Sequence, residues 1–164
     1  MSGKKGRNYK RLVLGDVIEI PLSTGRFAYA QYTYNYVKPP GWGKLFRVLP
    51  GIFKSRPEDL PELVRQGERF YAFCPLAPAV TQGWVTIVCN EKIPKQCRGL
   101  PVFKACNRNF ATGKKTWFIW DGKRAAVKVG SLSPEHYDLP LKQVISYGLL
   151  LERIESGWSP RDEV

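Results

Sequence analysis

Histidine is nearly missing from this chain: His136 is the only one in 164 residues. Nucleophilic hydrolases need a base beside their serine or cysteine, and histidine usually fills that role, so this scarcity removes most such constellations. The four cysteines, Cys74, Cys89, Cys97 and Cys106, include no C-x-x-C pair, and His136 lies well downstream of them, which is not zinc-site spacing. Neither H-E-x-x-H, nor a P-loop, nor a dinucleotide-type G-x-G-x-x-G occurs. The sequence therefore predicts a protein that is not an enzyme and needs no metal and no cofactor. No window holds the ~20 apolar residues of a membrane helix, and the opening MSGKKGRNYKR has no apolar run behind its charges. The expectation is a cytoplasmic protein with reduced thiols and no membrane contact.

Acidic residues are also few. Fourteen Asp and Glu face 26 Lys and Arg, which leaves +12 and a pI near 9.7. Such a surplus predicts attraction to a polyanion or to an acidic protein surface, without identifying which. Lys4, Lys5, Arg7, Lys10 and Arg11 gather in a Gly-containing start. Residues 1–11 thus read as a flexible basic arm, 12–157 as one domain and 158–164 as a C-terminal tail.

What is present in quantity is strand-forming sequence. With 43% hydrophobic and 13% aromatic residues, the chain has globular composition and the length of one domain. Asp16 to Leu22 alternates, Ser23-Thr24-Gly25 supplies a three-residue turn, and a tyrosine-rich second strand begins at Arg26. On that strand Phe27, Tyr29, Gln31 and Thr33 share one side, and Ala28, Ala30, Tyr32 and Tyr34 the other. Further strands are predicted at Leu45–Leu49, RFYAFCPL, GWVTIVC and LPVFKA, and a second hairpin turns at Asp121-Gly122. SRPEDLPELVRQG has a helix grammar, with Ser55 as cap, Leu60, Leu63 and Val64 as the inner stripe and Gly67 as the stop. Leu141, Val144, Ile145, Leu149, Leu151 and Ile154 recur at helical spacing, predicting a terminal helix from Leu139 to Glu155. The fold class is α+β: mostly antiparallel sheet, partly barrel-like, with a short central helix and a C-terminal helix.

Carboxylates could still do acid–base work, and Asp16, Glu19, Glu68 and Asp121 are candidates by residue type, although the sequence nominates no pair. Aromatics interleaved with cations, as in GRFAYAQYTYNYVK and KKTWFIWDGKR, support an alternative function. Rings on a strand face stack bases while Arg and Lys neutralise phosphates, which would make this a basic nucleic-acid-binding domain.

GDVIEIPLSTGRFAYAQYTY resembles the opening of the immunity protein 26 family of bacterial polymorphic toxin loci: a Gly-Asp, an Ile-Pro-Leu strand, a Gly turn and an aromatic second strand. QGWVTIVCNEKIP, LPVFK, TWFIWDGK, KVGSL and LPLKQVISYGLLLERIESGW are similar to its later parts, so the likeness runs from about Val13 to Trp158. The resemblance implies a bacterial, cytoplasmic antitoxin-like protein that binds a cognate toxin, here an acidic one, and blocks it by occlusion without catalysis. Under that reading the partner-binding candidates are Arg26, Tyr29, Gln31, Trp84, Lys104 and Trp120.

Overall fold

The computed structural model describes residues 11–164. The first hairpin forms as its turn chemistry predicts. β1 (Asp16–Pro21) and β2 (Phe27–Tyr36) pair antiparallel from Pro21 opposite Phe27 to Val17 opposite Gln31. Gly25 closes the loop at φ +77°, a conformation that L side chains resist, and its N–H donates to the Leu22 carbonyl.

β3 (Gly43–Val48), β4 (Phe70–Phe73) and β5 (Thr86–Asn90) complete an antiparallel sheet in the order β4-β3-β2-β1-β5. β4 and β5 are its edges, so it remains an open sheet and the expected barrel does not close. β6 (Phe103–Arg108), β7 (Lys115–Trp120) and β8 (Val127–Gly130) form a second, three-stranded antiparallel sheet. The hairpin between β7 and β8 sits where Asp121-Gly122 predicts it, with a longer loop, since Ile119 already pairs with Val127.

Both faces of the large sheet are covered. On one face Ile18, Ile20, Ala28, Ala30, Tyr32 and Phe46 pack beneath α2 (Ala77–Thr81) and α3 (Tyr147–Glu155), which contribute Ala79, Leu150 and Ile154. On the other, Val17, Tyr29 and Leu49 meet Leu60, Leu63 and Val64 of α1 (Leu60–Arg65). Further along that second face, Leu45 and Phe73 meet Phe103 and Trp120 of the small sheet, and the Phe73 and Phe103 rings stack at 5.3 Å.

Three elements differ from the sequence reading, the first two for local reasons and the third for a tertiary one. Asp59, not Ser55, caps α1, because its carboxylate accepts the Glu62 N–H at 2.9 Å and Pro61 occupies the first turn. APAVTQ, which joins the predicted strands RFYAFCPL and GWVTIVC, contains α2, whose first turn holds Pro78. The terminal helix starts at Tyr147, not Leu139, since the preceding backbone bonds elsewhere. Lys104 N–H donates to Pro140 O, Lys142 N–H to Lys104 O, and Ile145 N–H to Phe73 O. Residues 140–145 thus form an extended strap that joins β6 to β4, and Ser146 then caps α3 through its hydroxyl, 3.1 Å from Leu149 N. The segment read as a tail is packed too: the Trp158 ring meets Phe70 edge-on at 5.2 Å, and Pro160 is buried.

Candidate functional site

A bulge in β2 decides where its tyrosines go. Tyr32 pairs with Phe46 and Tyr34 with Leu45, so the register shifts by one residue at Thr33. Tyr32 therefore enters the core beneath α3, whereas Tyr34, two residues later, turns to the opposite face beside the small sheet. Tyr34 and Tyr36 are left half-buried at the far end of the sheet from the hairpin turn.

The chain leaving β5 reaches the same end. Pro94 and a single 3-10 turn at Lys95–Cys97 bury Cys97, with its thiol 3.8 Å from Glu68 Oε2, and this leaves Lys95 and Arg98 pointing outward. Arg98 is fixed at the corner because its Nε donates to the Ile93 carbonyl at 3.1 Å. Gly122 brings the loop after β7 close by. At φ +82°, a Cβ there would lie 2.6 Å from Leu100 Cδ1, so only glycine fits.

With α1, these three segments make two concavities that share Arg98. One, of about 360 Å³, has an apolar floor of Pro61, Val64, Ile93 and Pro94 and a rim of Arg65, Lys92 and Lys95. The other, of about 330 Å³, lies between Tyr34, Tyr36 and Leu100 and is rimmed by Lys38 and Lys123. Each also contains one carboxylate, Glu91 in the first and Asp121 in the second.

The charges here are unbalanced because acids are used elsewhere. Four ion pairs occur among the described residues: Arg47–Glu68, Arg56–Glu19, Arg65–Glu62 and Arg161–Asp138. None involves Lys38, Lys92, Lys95, Arg98 or Lys123. The Asp121 carboxylate accepts from the Arg124 and Lys123 backbone N–H groups, at 2.8 and 2.9 Å, and these bonds hold its pKa below the ordinary aspartate value. Its charge therefore serves the turn.

The residues expected to touch a partner separate into two groups. Arg26 is exposed at the hairpin turn, and Trp84 is 54% exposed, stacked on Tyr147 at 5.9 Å. Pairing of Pro21 with Phe27 and of Glu19 with Thr86 sets both at one end of the sheet, opposite the Arg98 concavities.

Tyr29, Gln31, Lys104 and Trp120 are packed inside, where no partner reaches them in this conformation. The Tyr29 hydroxyl donates to Glu19 Oε2 at 2.7 Å, and burial, reinforced by that carboxylate, raises its pKa far above the usual range. The Gln31 amide donates to Glu91 O at 2.9 Å and accepts from Arg47 Nε at 3.0 Å, and Arg47 continues to the Gln66 and Val64 carbonyls. Lys104 Nζ donates to the carbonyls of Tyr137, Pro160 and Glu163 at 2.7–2.8 Å. Trp120 stands edge-on to Tyr36 at 5.4 Å, with Lys142 Nζ 4.3 Å from its ring.

The candidate carboxylates are likewise occupied. Asp16 is fully buried, accepting from Val13 N at 2.8 Å and Asn90 Nδ2 at 2.9 Å, while Glu19 binds Tyr29 and Arg56. Glu68 faces Arg47 and Cys97, and no two of the four meet. His136 Nδ1 lies 3.1 Å from Ser133 Oγ within one turn of 3-10 helix, a contact between residues three apart in sequence.

Lys92, Lys95 and Arg98 are close together in the sequence, but their meeting with Tyr34, Tyr36 and Lys123 is not legible there, because those residues are far away in the chain. Among the described residues no helix is long and apolar enough to cross a membrane, and no group of three or more His, Cys, Asp or Glu is placed to hold a metal ion. No family model, no curated protein and no solved structure matches the chain, so the reading of this site rests on its own residues.

Proposed function

We propose that this protein is an inhibitor that works by occupation: it binds an acidic bacterial toxin and blocks it, without chemistry of its own and without a cofactor. The observation that carries this reading is the pair of concavities around Arg98, whose rim cations other than the Glu62-paired Arg65 make no ion pair among the described residues. Free cations around a half-apolar hollow favour a partner with complementary charge, because they speed encounter while the apolar floor and the Arg supply the anchor. The likeness of the opening hairpin to the immunity protein 26 family supports a toxin as that partner, and a cytoplasmic site of action goes with it. The half-buried tyrosines beside Lys38 and Lys123 also suit a single-stranded nucleic acid, which is the competing reading.

The test is co-expression with the toxin encoded in the same locus. Growth is expected to be restored when the two proteins are made in equal amount, and a complex of the two to be isolated whose association slows with salt while its dissociation changes little. Persistent toxicity despite excess of this chain would sink the reading. So would tight binding to generic single-stranded RNA whose affinity falls with salt at about −0.7 per neutralised phosphate in log-log terms.

A further inference from the structure

The shape and chemistry of the Arg98 site specify more than an acidic partner. Arg98 Nε is committed to the Ile93 carbonyl, and among the described residues its two terminal nitrogens have no protein acceptor. With Arg98 exposed, they are free to take both oxygens of one carboxylate end-on. On either side lies a hollow: one of about 360 Å³ with a mainly apolar floor, and one of about 330 Å³ whose apolar surface comes from Tyr34, Tyr36 and Leu100 between charged residues. Both hollows border on Arg98, and alternate side chains of an extended chain lie about 7 Å apart on one side of it, so a segment whose acid meets Arg98 directs the side chains two positions away on either side toward the two hollows.

Resting on the inhibitor reading, we propose that the site holds an extended segment of the partner with the pattern apolar-x-acidic-x-apolar. The central carboxylate sits on Arg98. One apolar side chain enters the Pro61–Val64–Ile93–Pro94 hollow and the other lies against Tyr34, Tyr36 and Leu100. Lys92, Lys95, Lys38 and Lys123 around the rims add longer-range attraction for an acidic partner.

A continuous polyphosphate fits less well. The first hollow has no aromatic ring on which a base would stack. The Tyr36 ring is already engaged edge-on by Trp120 at 5.4 Å and Phe73 at 6.5 Å. Glu91 and Asp121, one in each hollow, repel a charge at every step of the chain but not spaced carboxylates.

The experiment titrates the full-length protein, followed by backbone and arginine-side-chain NMR, with three probes of equal length: a blocked Ser-Leu-Ser-Glu-Ser-Tyr-Ser peptide, the same residues rearranged so that Glu is not flanked at two positions on each side by Leu and Tyr, and a uridine heptanucleotide. The ordered peptide is expected to shift the Arg98 Nε–H and the amides of Ile93, Gly99 and Leu100, and to bind at least tenfold tighter than the rearranged one. Arg98→Gln is expected to abolish the preference, whereas Lys54→Gln, beside the Phe53 that bridges Phe27 at the far end of the sheet, leaves it unchanged; both positions are exposed, and a native melting transition for each variant checks its fold. Equal binding of both peptides, tighter binding of the oligonucleotide, shifts confined to other surfaces, or no binding would each overturn the assignment. Neutralisation of the toxin by Arg98→Gln as complete as by the wild type would overturn it too, while leaving the inhibitor reading intact. Ordered-peptide binding with no toxin neutralised would instead remove that reading and leave the site.

Discussion

Lys104 shows how a single residue changes meaning between sequence and structure. In a chain with 26 cations it reads as one more surface charge, yet its side chain is fully buried and its ammonium is satisfied by three carbonyls, two of them in the last five residues. Burial lowers its pKa, and the carbonyls keep the charge tolerable. Lys104→Met is expected to cost about 3 kcal/mol, because it leaves three acceptors buried without a donor. Urea unfolding measures the loss, and amide exchange should accelerate selectively at residues 158–164.

Glu19 carries a pH dependence. The Arg56 guanidinium lowers its pKa below the ordinary 4.5, with the Tyr29 hydroxyl helping and burial opposing. A carboxylate with a depressed folded pKa contributes stability above its unfolded value and loses it as pH falls through the folded one. Stability should therefore decline below pH 4.5, and Glu19→Gln should flatten that part of the curve. The thiols separate in the same way. Burial pushes Cys74 up to about 12, whereas Cys106 is exposed, so a thiol reagent should label Cys106 quickly and Cys74 only on unfolding.

At the scale of elements, the end of the chain is the instructive case. Leu141, Val144 and Ile145 continue the apolar spacing of α3 backwards, yet they belong to the strap between the sheets. Periodicity reports which side chains are apolar, and here the backbone hydrogen bonds of β4 and β6 outcompeted those of an added helical turn. The distinction is measurable. Leu150→Ala, under α3 at 0% exposure, should cost about 3 kcal/mol, whereas Val144→Ala, at 49%, should stay within about 0.5 kcal/mol. Ser146→Ala should cost about 1 kcal/mol, since it removes the cap that starts the helix where it does. A chemical denaturation series on the three variants decides; a Val144 cost equal to that of Leu150 would put Val144 in the core beside Ile145.

Over the whole molecule, charge is distributed in two parts. Four of the 26 cations lie in residues 1–10, outside the described residues, and 22 remain against all 14 acids in 11–164, so the described part is itself strongly basic. Removing residues 1–10 should therefore slow association with an acidic partner at low salt, by steering, and leave dissociation nearly unchanged. Stopped-flow association at two ionic strengths separates these effects. A large rise in the dissociation rate would place an anchor in the deleted arm.

The sequence by itself determined the elements whose cause is local: the Gly25 hairpin, the apolar stripe of α1, the hairpin at Asp121-Gly122, the α+β class and the sign of the charge. These follow from turn conformations, alternation and composition, which act over a few residues. It left open what covers each face of β2, since a strand apolar on both sides looks the same whether one layer or two pack on it. Only the tertiary structure laid α1 over Tyr29, packed Trp120 of the small sheet against Leu45 and Phe73 of the large one, buried Lys104 beneath the C-terminal carbonyls, and turned Tyr34 away from Tyr32 by a bulge that no residue type announces. It alone brought Tyr34, Arg98 and Lys123 to one end of the sheet, because the strand order and loop crossings that meet there are set by packing between segments dozens of residues apart.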